Sequence, residues 1–167
     1  FEFFSAGDIL VINGEVNNLS LMFEMALSKS MDVVVNPSPV SESVLSLPLE
    51  KAKILIVNEI EGAMLCNSFD SSLEELLNLL MKKYPNTEIV LTAGSRGSYF
   101  GYKKEVYYQD IVKVQVVDTV GAGDTFLGYF VGSRILGLSA VEAMKKASKA
   151  SSITVTQKGA MDAIPII

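Results

Sequence analysis

Four short apolar runs, rich in valine and isoleucine, constrain the fold of this chain more than any other feature of its sequence. They lie at residues 8–12, 32–35, 53–57 and 88–91, and polar residues do not alternate within them. Such runs are typical of strands that are buried on both faces of a parallel sheet. Because parallel strands are joined by helical crossovers, we predict an α/β fold in which helices flank a layered, mostly parallel sheet.

The segments between these runs supply the helices. Apolar side chains recur at helical spacing in residues 19–27, 73–81, 123–136 and 139–155. Residues 70–72, followed by Glu74 and Glu75, offer N-caps and a capping box for the second of these helices. Ser139, with Glu142 three residues later, predicts a capping box for the fourth.

Residues 98–117 differ from the rest of the chain. Their tyrosines, Phe100 and Val106 indicate short strands around a turn at Lys103 and Lys104. In this chain, strands and helices alternate first, and a meander of short strands follows near the C-terminal end. This order is compatible with the layered α/β fold. Ligands of such folds bind beyond the carboxyl ends of the strands, so the turns from strand to helix are where a site is expected.

Composition excludes several functions. The net charge of −5 argues against a nucleic-acid or anionic-membrane partner, because those surfaces attract clustered positive charge. The chain has no histidine, which excludes Ser-His-Asp triads, Cys-His pairs and zinc sites with histidine ligands. Its single cysteine, Cys66, permits no internal disulfide and suits a reducing compartment. With no signal peptide and no long apolar window, we expect a cytoplasmic protein.

The strongest candidate for chemistry is the turn that follows an apolar strand expected at residues 116–117. Gly121, Ala122 and Gly123 have almost no side chains, so an anion can approach their N–H groups at the positive end of the next helix. Asp124 lies in the same turn, where its carboxylate can accept a proton from a hydroxyl group. On these residues alone, an ordinary helix start with an aspartate cap explains the pattern equally well.

The sequence Asp-Thr-Val-Gly-Ala-Gly-Asp-Thr-Phe at residues 118–126 resembles the C-terminal signature of the ribokinase-like (PfkB) sugar kinases. Four other segments resemble the ribokinase branch in the family's own order. They are Asn-Pro-Ser-Pro at 36–39, Asn-Glu-Ile-Glu at 58–61, Thr-Ala-Gly-Ser-Arg-Gly at 92–97 and Lys-Gly-Ala at 158–160. The resemblance implies an ATP-dependent kinase that uses Mg²⁺ and phosphorylates a pentose, D-ribose, to ribose 5-phosphate.

The resemblance also implies a role for each matched position. Asp124 would take the proton from the sugar hydroxyl, and Glu15 would contact the sugar. The N–H groups of Gly121, Ala122, Gly123 and Asp124 would form an anion hole for the transferring phosphoryl group. By themselves, the residues also allow Glu15 to be an acid at the end of a strand.

The implied ATP-binding positions are Asn58, Thr92, Gly94, Gly97, Gly123 and Ser148. Glu61 would act on Mg²⁺ through a bound water, in keeping with the few protein ligands that this ion takes. Each of these matches has a structural alternative. Asn58 and Glu61 fit a strand-end cap and an exposed helix acid, residues 92–97 fit a plain turn, and Ser148 fits a helix surface.

A potassium ion is the last ligand that the resemblance implies, as an activator. Its ligands would be the Asp118 carboxylate and backbone oxygens at Val120, Thr154, Gln157 and Gly159. Ala163 stands where a hydroxyl ligand is expected, which is a departure from the family pattern.

The resemblance covers only the C-terminal half or so of a full-length ribokinase. We therefore expect residues 1–167 to be the C-terminal nucleotide-binding portion, without the N-terminal substrate and lid portion. Nothing in residues 1–35 resembles the small β-sheet lid, through which full-length members form homodimers. The sheet of this chain is expected to have an open edge where the further strands belong.

Two other functions fit the same motifs. One is a non-catalytic nucleotide-binding remnant, and the other is a kinase for another sugar or a nucleoside, resembling fructokinase or adenosine kinase. The motifs at residues 36–39 and 58–61 favour the ribokinase branch. A nicotinamide-dependent enzyme fits poorly, because its glycine-rich turn follows the first strand, whereas this turn lies late in the chain.

Overall fold

The computed structural model describes residues 1–167, and its six strands form one sheet in which strand order follows chain order. The strands are β1 (Ile9–Asn13), β2 (Asp32–Asn36), β3 (Ile54–Asn58), β4 (Glu88–Thr92), β5 (Ser98–Tyr102) and β6 (Glu105–Gln109). The helices are α1 (Leu19–Ser28), α2 (Glu42–Leu45), α3 (Glu59–Cys66), α4 (Leu73–Lys83), α5 (Ala122–Ile135) and α6 (Ala140–Thr154). Short 3₁₀ turns lie at Leu49–Lys51, Gly94–Arg96 and Met161–Ala163. The predicted α/β fold is confirmed.

The first three strands run parallel to one another. Ile9 of β1 is paired with Asp32 of β2, and Val34 of β2 is paired with Ile54 of β3. Consecutive residues of β2 and β3 are buried, with Val34 1% and Leu55 0% exposed. Because successive side chains of a strand point to opposite faces, both faces are covered here, which explains why the apolar runs lack polar alternation.

The chain divides into two compact units. The first contains Phe1–Leu91 and Gly101–Val106, and the second contains Thr92–Phe100 and Tyr107–Ile167. Phe23 of α1 and Leu77 of α4 are core residues of the first unit. In the second unit, α5 and α6 pack against each other. Small residues on one face of α6 are fully buried, namely Ala143, Ala147 and Ala150.

Both predicted capping boxes are present. The N–H of Ser72 donates to the Glu75 carboxylate at 2.8 Å, and the N–H of Ser139 donates to the Glu142 carboxylate at 2.9 Å. These bonds, with those from the two serine hydroxyls, lower the pKa of both glutamates. They satisfy N–H groups that a helix start leaves without partners.

Residues 98–117 are only partly as predicted. Strands β5 and β6 flank the predicted turn, in which Lys103 has a φ of 54°. Residues 110–117 form no regular secondary structure, and several of their valines are exposed. None of the helices has both the length and the apolar character that crossing a membrane would require.

The neighbouring leucines of α4 test the packing of the first unit. Leu77 is 1% exposed and Leu79 is 38% exposed. We expect Leu77→Ala to lower the free energy of unfolding by about 2–5 kcal/mol, because it leaves a cavity in the core. Leu79→Ala is the matched control and should cost less than about 1 kcal/mol. Urea denaturation followed by circular dichroism measures both, and equal losses would contradict the packing described here.

Candidate active site

A cavity of about 680 Å³ lies within the second unit. Its volume is typical of pockets that hold small molecules, at about 300–1,000 Å³. Its walls come from the loop after β4, from residues 111–119, and from α5 and α6. The sequence-predicted residues among them are Thr92, Gly94, Gly97, Ala122, Gly123 and Ser148. The fold thus brings together at one cavity segments that are far apart in the chain.

The loop after β4 is shaped by its glycines. Gly94 and Gly97 both have positive φ angles, of 53° and 81°. A Cβ atom at Gly97 would lie 2.4 Å from the carbonyl oxygen of Gln109 and 2.9 Å from the Tyr108 ring. The loop is closed by a hydrogen bond from the Ala93 N–H to the Gly97 carbonyl at 2.9 Å. Glycine at position 97 is therefore required by backbone conformation and by close packing.

The glycine turn leads directly into α5. Gly121 has a φ of 76°, and the Ala122 N–H donates to the Thr119 carbonyl at 3.3 Å. The N–H groups of Gly123 and Asp124 belong to the first turn of α5, where a helix provides no acceptor for them. A Cβ atom at Gly123 would meet nothing within 4 Å, so there is open space on the side-chain side of this residue. The Asp124 side chain is exposed.

Hydroxyl groups of α6 form hydrogen bonds to α5 and to the loop after β6. The Ser151 hydroxyl donates to the Ala122 carbonyl at 2.9 Å, and the Thr154 hydroxyl donates to the Thr125 hydroxyl at 3.1 Å. The Ser148 hydroxyl donates to the Asp110 carbonyl at 3.3 Å. Sequence analysis missed Ser151, because a serine that bonds to a distant backbone carbonyl belongs to no local motif.

Asp118 connects the glycine turn to the segment after α6. Its carboxylate accepts the N–H of Val120 at 3.1 Å and the N–H of Gly159 at 3.2 Å. These two bonds are the main reasons why the pKa of Asp118 lies below its ordinary value. The Asp118 N–H donates to the Val155 carbonyl at 3.2 Å. The structure thus brings the Asp118 side chain to the backbone N–H groups of Val120 and Gly159, two of the residues named for the predicted potassium site.

The predicted potassium ligands are of a suitable chemical type, because carbonyl oxygens are ligands that proteins use for K⁺. Both oxygens of the Asp118 carboxylate already accept backbone N–H groups in this structure. The Thr154 carbonyl accepts the Gln157 N–H at 3.2 Å, which holds the turn after α6. Ala163 is 1% exposed and offers no hydroxyl ligand. The structure contains no cluster of three carboxylate or thiol side chains able to hold a metal ion.

Asn58 and Glu61 lie in the first unit, at the start of α3. They form a capping box, in which the Asn58 N–H donates to the Glu61 carboxylate and the Glu61 N–H donates to the Asn58 side chain, both at 2.9 Å. The structural alternative for these residues was a strand-end cap with an exposed acid. The cap is present, but the expectation of an exposed acid is wrong, because Glu61 is only 6% exposed. Carboxylates are ligands that Mg²⁺ takes from proteins, and one oxygen of the Glu61 carboxylate already accepts the Asn58 N–H.

The turns after β1 and β2 meet in the first unit. The Gly14 N–H donates to the Ser38 carbonyl at 2.9 Å, and a Cβ atom at Gly14 would lie 2.3 Å from the Pro39 carbonyl oxygen. Glu15 follows and is exposed, with its N–H bonded to the Asn13 side chain at 3.3 Å. The predicted sugar contact and the Asn-Pro-Ser-Pro turn are therefore at the carboxyl ends of adjacent strands.

The chain belongs to the pfkB family of carbohydrate kinases, whose family model matches residues 1–167. It is 30% identical to a ribokinase from Schizosaccharomyces pombe, over 96% of this chain and 53% of that protein. It is 32% identical to a ribokinase from Staphylococcus aureus, over 87% of this chain and 48% of that protein. The chain spans about half the length of these relatives.

Solved structures give the same fold. The ribokinase from Cryptococcus neoformans in complex with ADP matches with a TM-score of 0.82 and 30% identity, over 94% of this chain and 57% of that one. The Arabidopsis thaliana ribokinase complexed with ribose and ATP matches with a TM-score of 0.80 and 25% identity, over 94% of this chain and 52% of that one. The ribokinase-like fold expected from the motifs is confirmed.

The Asp118 carboxylate predicts a pH dependence of stability. Because its pKa is lower in the folded chain, the carboxylate stabilises the fold at pH values above its unfolded pKa. This contribution is lost as the pH falls through the folded pKa. We expect Asp118→Asn to lower the free energy of unfolding at pH 7, and the difference from the unsubstituted chain to narrow below about pH 4. Urea denaturation at a series of pH values measures this, and a difference independent of pH would contradict it.

Proposed function

We propose that this protein takes part in the ATP-dependent phosphorylation of a sugar hydroxyl, and that its second unit binds the ATP. The observation that carries the proposal is that Thr92, Gly94, Gly97, Gly123 and Ser148 all border the same cavity. These are five of the six positions that the resemblance assigns to ATP, and the sixth, Asn58, lies in the first unit. Two ribokinase relatives of the same fold were solved in complex with ADP and with ribose and ATP, which supports nucleotide binding by the whole protein.

The start of α5 would stabilise the transferring phosphoryl group. Phosphoryl transfer depends mainly on positioning and on stabilisation of charge. The N–H groups of Gly123 and Asp124 lie at the positive end of the helix dipole, where negative charge is stabilised. Gly123 borders the cavity and has open space where a side chain would be, so no side chain of its own would hinder a phosphoryl oxygen that approaches its N–H.

Asp124 would be the general base. The sugar hydroxyl oxygen forms its bond to the γ-phosphorus of ATP while the bond between that phosphorus and the bridging oxygen breaks. ADP leaves with the electron pair, and the hydroxyl proton passes to the Asp124 carboxylate. The side chain is exposed and on the first turn of α5, so it is free to receive that proton.

Mg²⁺ bound with ATP would neutralise phosphate charge. Glu61 is the residue proposed to hold it, through water, and Asn58 is proposed to contact the phosphates. The capping box orients both side chains at the end of β3.

D-Ribose is the proposed acceptor, with its 5-hydroxyl as the group that is phosphorylated. The support is the resemblance of residues 36–39 and 58–61 to the ribokinase branch, and the ribokinase relatives at 30% identity or more. Glu15 is the proposed sugar contact. Faster phosphorylation of fructose or a nucleoside than of ribose would contradict this choice of acceptor but not the kinase activity.

The Asp124 carboxylate provides the decisive test. In the whole protein, we expect Asp124→Asn to lower kcat by about 10²–10⁴, the scale of a lost general base. The affinity for Mg-ATP should stay nearly unchanged, because asparagine has almost the same shape as aspartate and because the N-cap of α5 is Gly121, so the change removes no side-chain cap. Steady-state kinetics with ribose and calorimetric titration with a non-hydrolysable ATP analogue measure the two quantities.

Asp70→Asn is the control for this experiment, because Asp70 is an exposed aspartate of the first unit and should leave kcat unchanged. Near-normal turnover of Asp124→Asn would mean that another group is the base. Failure of the unsubstituted protein to bind Mg-ATP would contradict the proposed nucleotide site itself.

We also propose that K⁺ activates the enzyme from a site at Asp118. Backbone oxygens at Val120, Thr154, Gln157 and Gly159 would complete the site. Because this site adjoins the glycine turn, we expect the whole protein to phosphorylate its sugar faster in KCl than in NaCl at equal ionic strength. Asp118→Asn should remove the difference between the salts. Equal rates of the unsubstituted protein in the two salts would contradict the site.

A further inference from the structure

We propose that Ser151 is a positioning residue for the phosphoryl-binding N–H of Gly123. The proposal rests on the proposed function, in which the first turn of α5 holds the transferring group. Ser151 is half-buried on α6, borders the cavity, and donates its hydroxyl to the Ala122 carbonyl at 2.9 Å.

The geometry of the peptide group connects this bond to the anion hole. The carbonyl of Ala122 and the N–H of Gly123 belong to one peptide unit, which is planar, so the direction of one determines the direction of the other. A hydrogen bond to the carbonyl also polarises the unit and strengthens its N–H as a donor. Ser151 therefore acts on both the direction and the strength of the Gly123 N–H, from the opposite end of the peptide unit.

The other hydroxyls of α6 do not share this role. The Ser148 hydroxyl bonds to the Asp110 carbonyl, and the Ser152 hydroxyl bonds to the Lys149 carbonyl of its own helix at 2.7 Å. The Thr154 hydroxyl bonds to the side chain of Thr125 on α5, and not to a backbone group of that helix. Ser152 borders the same cavity, so it is a matched control for loss of a hydroxyl from this wall.

The first experiment observes the peptide unit directly. In ¹⁵N-labelled whole protein, we expect Ser151→Ala to move the amide resonance of Gly123, and Ser151→Thr, which keeps the hydroxyl, to restore most of its position. Ser152→Ala should leave that resonance in place. A Gly123 resonance that does not respond to Ser151→Ala would overturn the proposal, whatever the protein's activity.

The second experiment measures the consequence for phosphoryl binding. ADP with aluminium fluoride is the probe for the transferring group, and ADP alone is the reference. We expect Ser151→Ala to weaken binding of ADP with aluminium fluoride by about threefold to tenfold, the scale of one hydrogen bond. Its affinity for ADP alone should match that of the unsubstituted protein, and Ser151→Thr should restore the binding.

The outcomes separate this inference from the proposed function. An equal loss of affinity for both probes would show that Ser151 only shapes the nucleotide cavity, and would overturn its positioning role. Normal binding of both probes by Ser151→Ala would overturn it as well. Failure of the unsubstituted protein to bind ADP would instead overturn the proposed nucleotide site.

Discussion

Burial of the central strands on both faces is the constraint on which the rest of the structure depends. β2 and β3 consist almost wholly of buried valine, leucine and isoleucine. Strands of this kind leave no position within the sheet for a polar side chain that acts on a ligand. Asn13, Asn36, Asn58 and Thr92 are instead the last residues of four successive strands. The polar chemistry of the chain therefore begins where its strands end.

Two kinds of interaction fix the conformation of the turns that follow the strands. Glycine allows close approach, as at Gly14 against Pro39 and at Gly97 against Gln109. Polar side chains satisfy backbone groups, as in the capping box of Asn58 and Glu61. Both kinds of interaction keep backbone N–H groups and short side chains in fixed directions. Such rigidity is useful to a kinase, because its catalysis relies on groups that are already oriented when charge develops.

The second unit contains most of the candidate site, and α6 organises it. Its buried alanines allow close packing on α5, while its hydroxyls reach the neighbouring backbone at Asp110 and Ala122. The segment after α6 then returns to the Asp118 carboxylate through Gly159. One helix thereby supplies a cavity wall, supports the glycine turn at the start of α5 and leads into the proposed potassium site.

The sequence by itself determined the fold class, the helix caps and the glycine turns, because apolar runs, capping boxes and glycines act through residues close in the chain. The capping box of Ser139 and Glu142 and the turn at Lys103 needed no distant contact to be predicted. Tertiary structure alone decided that residues 110–117 stay irregular, that Glu61 is buried, and that Ser151 bonds to Ala122. Each of these depends on which surfaces meet in the folded chain, and a hydroxyl bonded to a distant carbonyl leaves no periodic or local pattern in the sequence.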